Sequence, residues 1–500
     1  MSDPVLAVAQ DFLHRFFSPC RILVAISGGS DSKGLLLAVK QALDGGGLEG
    51  FSVAACTVDH GLRPGSLREA EDVAAFSARI GIPHVIKRWM GEKPTSGIQA
   101  AAREARYALL SEAAVDLHAA CIVTAHTADD QAETIAMRKA RSVEQSAGLS
   151  GMADAVLYGR QVWILRPFLN VRRGAIRDYL SMQGESWFDD PSNANPAFER
   201  VRMRHALLQQ SGIEALPAFP SPQRGEVAQR ADEGMPPLAQ RQPSPSSGPA
   251  GHLLPAGEKG KQAAGVVQSN GDFRAGGHWR SLRAGRMAEL LGDVSVMEGL
   301  VARLEPALID RVEEPDARDV ILLLAAVIGG ISHAPSRAVA DRVAAFLGGG
   351  APGRITASRT VFDRRRDALY LYREKRGLPA VTLTPGARAI WDARFVVENR
   401  SKQTLHLHAT EDTGSTEARL FAAGVPQAIA RRAAPAALSI SHATPDHQDI
   451  ATVVERHIPL YDTFLPRFDL TLADRMAVLF GRGRYLVSPV HDVLTEKTRV

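Results

Sequence analysis

The chain has 500 residues, of which 45% are hydrophobic and 23% charged, with 59 basic against 55 acidic side chains. That length calls for two to four folded units with real cores, and a net charge of +4 permits a nucleic-acid partner without demanding one. Three cysteines, Cys20, Cys56 and Cys121, form no CxxC pair, which excludes a disulfide framework and leaves no ligand set for a zinc knuckle or an iron–sulfur cluster.

The first ten residues lack the basic-then-apolar layout of a signal peptide, and runs such as Val320–Ile328 are too short to span a bilayer. A soluble, cytoplasmic protein with no membrane partner is expected. Apolar runs rich in β-branched residues follow at Arg21–Ile26, Phe51–Val58, Pro83–Lys87 and Cys121–Thr124. Between them, helical spacing covers 33–43, 66–80, 98–115 and 129–140. This βαβα order, with strands that are apolar throughout, predicts a mostly parallel sheet covered by helices on both faces. Ligands of such sheets sit beyond the carboxyl ends of the strands. Three of the four predicted ends carry polar clusters: Ser27–Ser32, Asp59–His60 and His126–Asp130.

A helix over Arg172–Met182 leads through Trp187–Asn195 to a second over Pro196–Gln210. Residues 214–279 are dense in Pro, Gly, Ser, Gln and Arg and poor in aromatics. Such a stretch cannot bury enough apolar area to offset its ordering entropy, so a disordered insertion is expected. Order resumes near Leu282, and amphipathic runs over 287–347 point to a small helical domain. After the turn Gly348–Gly353, short strands such as Ala368–Tyr372, Phe395–Val397 and Thr404–Leu407 predict a mixed α/β or β-rich C-terminal domain. The expected plan is an α/β nucleotide domain over 1–212, an insertion over 213–280, a helical domain over 281–348 and a C-terminal domain over 349–500.

The most informative segment is Ser27-Gly28-Gly29-Ser30-Asp31-Ser32, between a strand and a helix. Two glycines let the backbone turn tightly and bring N–H groups toward an anion, and the helix start adds unpaired donors and a positive dipole end. The loop lacks the Gly-Lys-Ser/Thr ending of the P-loop and is too short for GxGxxG.

This loop resembles the pyrophosphate-binding loop of the N-type ATP pyrophosphatases, the PP-loop superfamily. Several later segments resemble one of its families, the tRNA(Ile)-lysidine synthetases. They are Val58-Asp59-His60-Gly61-Leu62-Arg63, Ala102-Arg103-Glu104-Ala105-Arg106-Tyr107, Ala125-His126-Thr127-Ala128-Asp129-Asp130-Gln131-Ala132-Glu133-Thr134, Gly148-Leu149-Ser150-Gly151-Met152 and Asp190-Pro191-Ser192-Asn193. Weaker echoes lie at Arg373-Glu374 and Trp391-Asp392-Ala393-Arg394-Phe395. One departure is Ser142-Val143-Glu144-Gln145-Ser146-Ala147, which stands where the family has a glycine-rich turn.

The resemblance implies an ATP-dependent carbon–nitrogen ligase with ATP and Mg²⁺ as cofactors. Its implied partners are L-lysine and the isoleucine tRNA with a CAU anticodon, and a homodimer is left open. AMP is transferred to the C2 oxygen of the wobble cytidine, and the lysine amine then expels it. Ser27, Gly28, Gly29, Ser30 and Ser32 are expected on the departing phosphates, with Asp59 on the nucleotide side. Asp31 and Asp130 are expected to contact the metal, since hard cations take carboxylate oxygens. His126, Asp130 and Glu133 are candidates for receiving the lysine ammonium and its proton, and their division of roles stays open.

Arg103, Arg106, Arg138 and Arg141 pair at a spacing of three, which suits a tRNA backbone. The resemblance adds Arg200 and Arg204. The two later domains are expected to read tRNA, with basic clusters at Arg364–Arg366 and at Arg482 and Arg484. Two other readings stand beside this one: a different adenylating PP-loop enzyme, and a non-catalytic RNA-binding protein on the same fold.

Overall fold

A computed structural model describes residues 3–63, 65–141, 151–188, 202–204, 270–442 and 452–491. Arg200, the side chain of Arg141, the atypical stretch 142–147 and nearly all of the predicted insertion lie outside the described residues.

Five parallel strands form the centre of the N-terminal sheet: β1 (Arg21–Ala25), β2 (Ser52–Asp59), β3 (His84–Arg88), β4 (Cys121–Val123) and β6 (Val162–Leu165). The alternation along β1 shows why these runs read as continuously apolar. Ile22 and Val24 enter one core, shared with α1 (Pro4–His14), α2 (Ser30–Asp44) and α6 (Arg173–Met182). Leu23 points the other way, with Ala54, Cys56 and Ile122, into a core closed by α4 (Ile98–Asp116). Both faces are dry, so no polar alternation survives. The expected parallel sheet with helices on both faces is present. Burial pushes the Cys56 thiol up to about 12 and that of Cys20 to about 11.

The sheet has two further strands at one edge. β5 (Ala155–Tyr158) forms a hairpin with β6, and β18 (Phe464–Pro466) pairs with β5 from the far end of the chain, giving the order β18-β5-β6-β4-β1-β2-β3. The seventh strand therefore comes from outside 1–212. The same return segment is fastened by a bidentate pair, Arg160 to Glu455 at 2.8 and 2.7 Å. The Trp163 indole also donates to the Leu486 carbonyl at 3.1 Å.

A helix over Asn270–Leu290 crosses the boundary expected at 280. Helices Pro315–Gly329 and Arg337–Gly348 match the predicted helical region. That region also holds a hairpin, β7 (Val294–Met297) and β8 (Val301–Leu304), which the amphipathic pattern did not reveal. It joins β9 (Gly353–Ala357), β10 (Thr360–Arg364) and β11 (Leu369–Arg373) in an antiparallel sheet ordered β7-β8-β11-β10-β9. Two three-stranded sheets complete the β-rich C-terminal half. No helix among the described residues is long and apolar enough to cross a membrane.

Candidate active site

Beyond β1 the chain makes the turn that the two glycines foreshadow. Gly28 has φ +79°, and a Cβ there would lie 3.1 Å from Val73 Cγ2, so both the backbone region and the space favour glycine. Gly29 then caps α2 without a side-chain acceptor for the first-turn N–H groups. A helix start of this kind presents donors and a positive dipole end to an anion. Ser32 shapes the loop from inside. Its hydroxyl donates to the Gly29 carbonyl at 3.1 Å and accepts the Ser27 N–H at 3.1 Å. Ser30 donates to Asp31 Oδ1 at 3.0 Å.

The end of β4 supplies the second group of residues. Thr127 and Asp130 form a capping box at the start of α5 (Ala128–Arg141): Asp130 Oδ2 accepts both the Thr127 N–H and its hydroxyl at 2.8 Å. Asp129 reaches across to α6, where its Oδ2 accepts the Arg173 N–H at 2.8 Å. Capping is thus part of what these carboxylates do. Asp130 nevertheless keeps Oδ1 turned toward Arg173 on α6.

Both halves meet at Arg173. Its Nε donates to Asp31 Oδ2 at 2.9 Å and its Nη2 to Asp130 Oδ1 at 3.4 Å. Burial pushes the Asp130 carboxyl up, but Arg173, the two Thr127 donors and His126 outweigh it and hold the group below the usual carboxylate range. Asp130 therefore stays ionised near neutrality. The stability this lends is complete above the ordinary carboxylate pKa and is lost only as pH falls through the lowered value.

The position of Arg173 depends on close helix packing. A Cβ on Gly34 would lie 2.3 Å from Ile176 Cγ2, so only glycine lets α2 and α6 approach this closely. One turn beyond Arg173, Arg177 Nε lies 3.4 Å from the Ser30 hydroxyl. The ammonium of Lys33 donates to the Ser186 carbonyl at 2.5 Å. These three basic residues were absent from the sequence expectations. Arg173 and Arg177 sit four apart on a recognised helix, and that spacing was the available signal.

The remaining expected residues divide into several groups. Glu133 is buried and accepts from Arg204 Nε at 2.6 Å, so the structure joins two residues predicted separately. His126 Nδ1 lies 3.0 Å from the Thr124 hydroxyl. Arg138 donates to the Gly151 carbonyl at 2.7 Å, and Gln131 holds Met152 through its N–H and carbonyl at 2.6 and 3.0 Å. The segments around 131 and 151 are thereby one unit.

Asp59 is committed to its own loop. It accepts from Gly61 N–H at 2.9 Å, the Ser66 hydroxyl at 2.7 Å and Arg88 Nε at 3.0 Å. Although burial opposes it, these donors keep the carboxyl below its usual range. Beside it, burial and the charges of Arg106 and Lys93 lower the His60 imidazole. Arg103 and Arg106 are both exposed on α4, with Arg103 5.0 Å over the Tyr107 ring.

A model of the PP-loop domain matches residues 5–211. The tRNA(Ile)-lysidine synthase of Rhizobium meliloti is 45% identical, covering 99% of this chain and 99% of its own length. That of Mesorhizobium japonicum is 35% identical with 94% of each chain covered, and that of Brucella canis 33% identical with 92% and 95% covered. A relationship that runs through the C-terminal half as well as the nucleotide domain leaves one assignment: the chain belongs to the tRNA(Ile)-lysidine synthase family of PP-loop ATP-dependent ligases.

Proposed function

We propose that this chain converts the wobble cytidine of the isoleucine tRNA bearing a CAU anticodon to lysidine, using ATP and L-lysine. The observation that carries the reading is the 45% identity to a synthase of that name over 99% of both chains. Cytidine C2 is a poor electrophile because its oxygen leaves badly. Attack of that oxygen on the α-phosphorus of ATP expels pyrophosphate and makes the oxygen part of a good leaving group. The lysine amine, after losing a proton, adds at C2, and the C2–O bond breaks with its electrons on AMP.

The loop N–H groups and the α2 N-terminus bind the β- and γ-phosphates in this scheme. Asp31 Oδ2 and Asp130 Oδ1 both face the Arg173 guanidinium, and two carboxylates so placed suit a divalent cation. Among the described residues no three His, Cys, Asp or Glu side chains are placed to hold a metal. Two carboxylates completed by phosphate oxygens and water is the usual habit of Mg²⁺. When bound there, the ion would neutralise phosphate charge. Asp130 and Glu133 lie in the first turns of α5 and His126 just before it, and the three are proposed to receive the lysine ammonium and its proton.

Glu133 also anchors Arg204, which we take as the link between that site and the basic segment 200–204. Arg103, Arg106, Arg138, Arg141 and Arg200 are assigned to tRNA phosphates, and the C-terminal half to tRNA selection. A cytoplasmic location follows from the substrates. The test is incubation of the purified protein with ATP, labelled lysine and total tRNA. Label in the CAU isoleucine tRNA alone, with one AMP released per lysine joined, is the expected result. ATP turnover without label, or label spread across many tRNAs, contradicts the proposal.

A further inference from the structure

The arginine at the centre of the site has more than a packing role. Arg173 stands between two carboxylates, and a divalent cation would need the same two oxygens. Its guanidinium faces Asp31 Oδ2 at 2.9 Å and Asp130 Oδ1 at 3.4 Å. The other oxygen of each carboxylate is tied to its own element, Asp31 Oδ1 by Ser30 at 3.0 Å and Asp130 Oδ2 by Thr127 at 2.8 Å. Each carboxylate is therefore oriented by its own element as well as by the guanidinium.

The backbone of Arg173 is held from two sides. Asp129 holds its backbone N–H, and α6 is seated against α2 at Gly34. The three side chains keep 22%, 20% and 14% of their surface in contact with solvent. Water reaches all three groups, so an incoming ion of higher charge can compete for the two oxygens. Two carboxylates against one guanidinium leave a net negative charge, and a divalent ion in the guanidinium's place would balance both carboxylates. A guanidinium released there has a planar fork of donors suited to phosphate oxygens. The adjacent loop is a phosphate cradle, so it need not travel far.

We propose that Arg173 is a resident counter-cation. It balances the charge of Asp31 and Asp130, yields them to the metal as the nucleotide enters, and moves onto the oxygens of the departing pyrophosphate. Arg173 is thus a counter-charge for the two carboxylates first and a phosphate ligand second. The inference rests on the reading of the site as an ATP site.

The test uses the full-length protein and the variants Arg173→Gln and Arg173→Lys. Binding of Mn²⁺ without nucleotide is followed by electron paramagnetic resonance, and binding of Mg-ATP by calorimetry. Removing the competing guanidinium should tighten Mn²⁺ binding, while losing a charge-assisted phosphate contact should weaken Mg-ATP binding, each by about 10-fold or more. Opposite movement of the two affinities is a result that loosening of the helix cannot give, since loosening weakens both. Arg173→Lys keeps the charge but not the fork, and should move both affinities in the same directions by less. It carries the test if the glutamine variant does not fold. Mn²⁺ affinity equal to or weaker than that of the parent, or Mg-ATP affinity unchanged, overturns the proposal. If the parent itself binds no Mg-ATP, the ATP reading fails instead, so the two failures are told apart.

Discussion

Two clusters in this molecule are built from aspartate and arginine, and they differ in stoichiometry and in access to water. In the C-terminal half a single carboxylate, Asp392, accepts from Arg373 at 3.1 and 3.2 Å, from Arg394 at 2.6 Å and from Arg359. Asp392 is fully buried, as are Arg373 and Arg394, and burial pulls the Arg394 guanidinium down to about 10. At the nucleotide loop the ratio is reversed, with two carboxylates to one guanidinium, and all three partners reach solvent. The buried cluster is saturated with cations and can only hold β11 and the turn after β13 (Arg388–Trp391) together. The solvated one has carboxylate charge to spare and can accept another cation. Burial and charge balance, not residue type, separate a structural cluster from a working one.

The largest expected effect falls on the buried side. Asp392→Asn leaves three guanidinium groups without their anion and should cost about 3–5 kcal/mol of stability, read from urea unfolding. Mg-ATP affinity of the folded fraction should be unchanged. A loss below 1 kcal/mol would show that the cluster is not the clasp its burial implies. A smaller effect is expected where α2 meets α6. Gly34→Ala introduces a Cβ 2.3 Å from Ile176 Cγ2, and overpacking of this kind costs about 1–3 kcal/mol. Because α6 carries Arg173, Mg-ATP affinity should fall as well, and trimming Ile176 to Ala in the same chain should restore part of both. A stability loss with no change in Mg-ATP affinity would detach the helix contact from the site.

The parallel sheet was legible because its strands are buried on both faces. Runs such as Arg21–Ile26 and Cys121–Thr124 differ from the observed strands only by a residue at the end. The loop 27–32 was legible too, since glycine spacing between a strand and a helix has few other uses. Contacts made across long stretches of chain were not. β18 is three residues long and pairs with a strand some 300 residues earlier, so no local period marks it. Arg173 is distinguished from other surface arginines only by what the fold sets opposite it.

The same reason corrects part of the basic cluster expected near the end of the chain. Arg482 is buried and donates to both oxygens of Asp462 at 2.8 and 2.7 Å, so it serves packing, while Arg484 remains exposed. The echo at Trp391–Phe395 was visible in sequence, but only the structure shows that its aspartate and arginine are parts of the buried clasp.

The proposed function requires the Asp31–Arg173–Asp130 cluster to work on ATP and not merely to hold the fold. Asp31→Asn separates these roles, with AMP release and urea unfolding measured on the same preparation. Its carboxylate is partly exposed, so stability should stay within about 1 kcal/mol of the parent. AMP release in the presence of tRNA and lysine should fall by about 100-fold or more, the scale of losing one charged contact to the reacting phosphates. Near-parental AMP release, or a loss that merely tracks unfolding, would make the cluster a structural one.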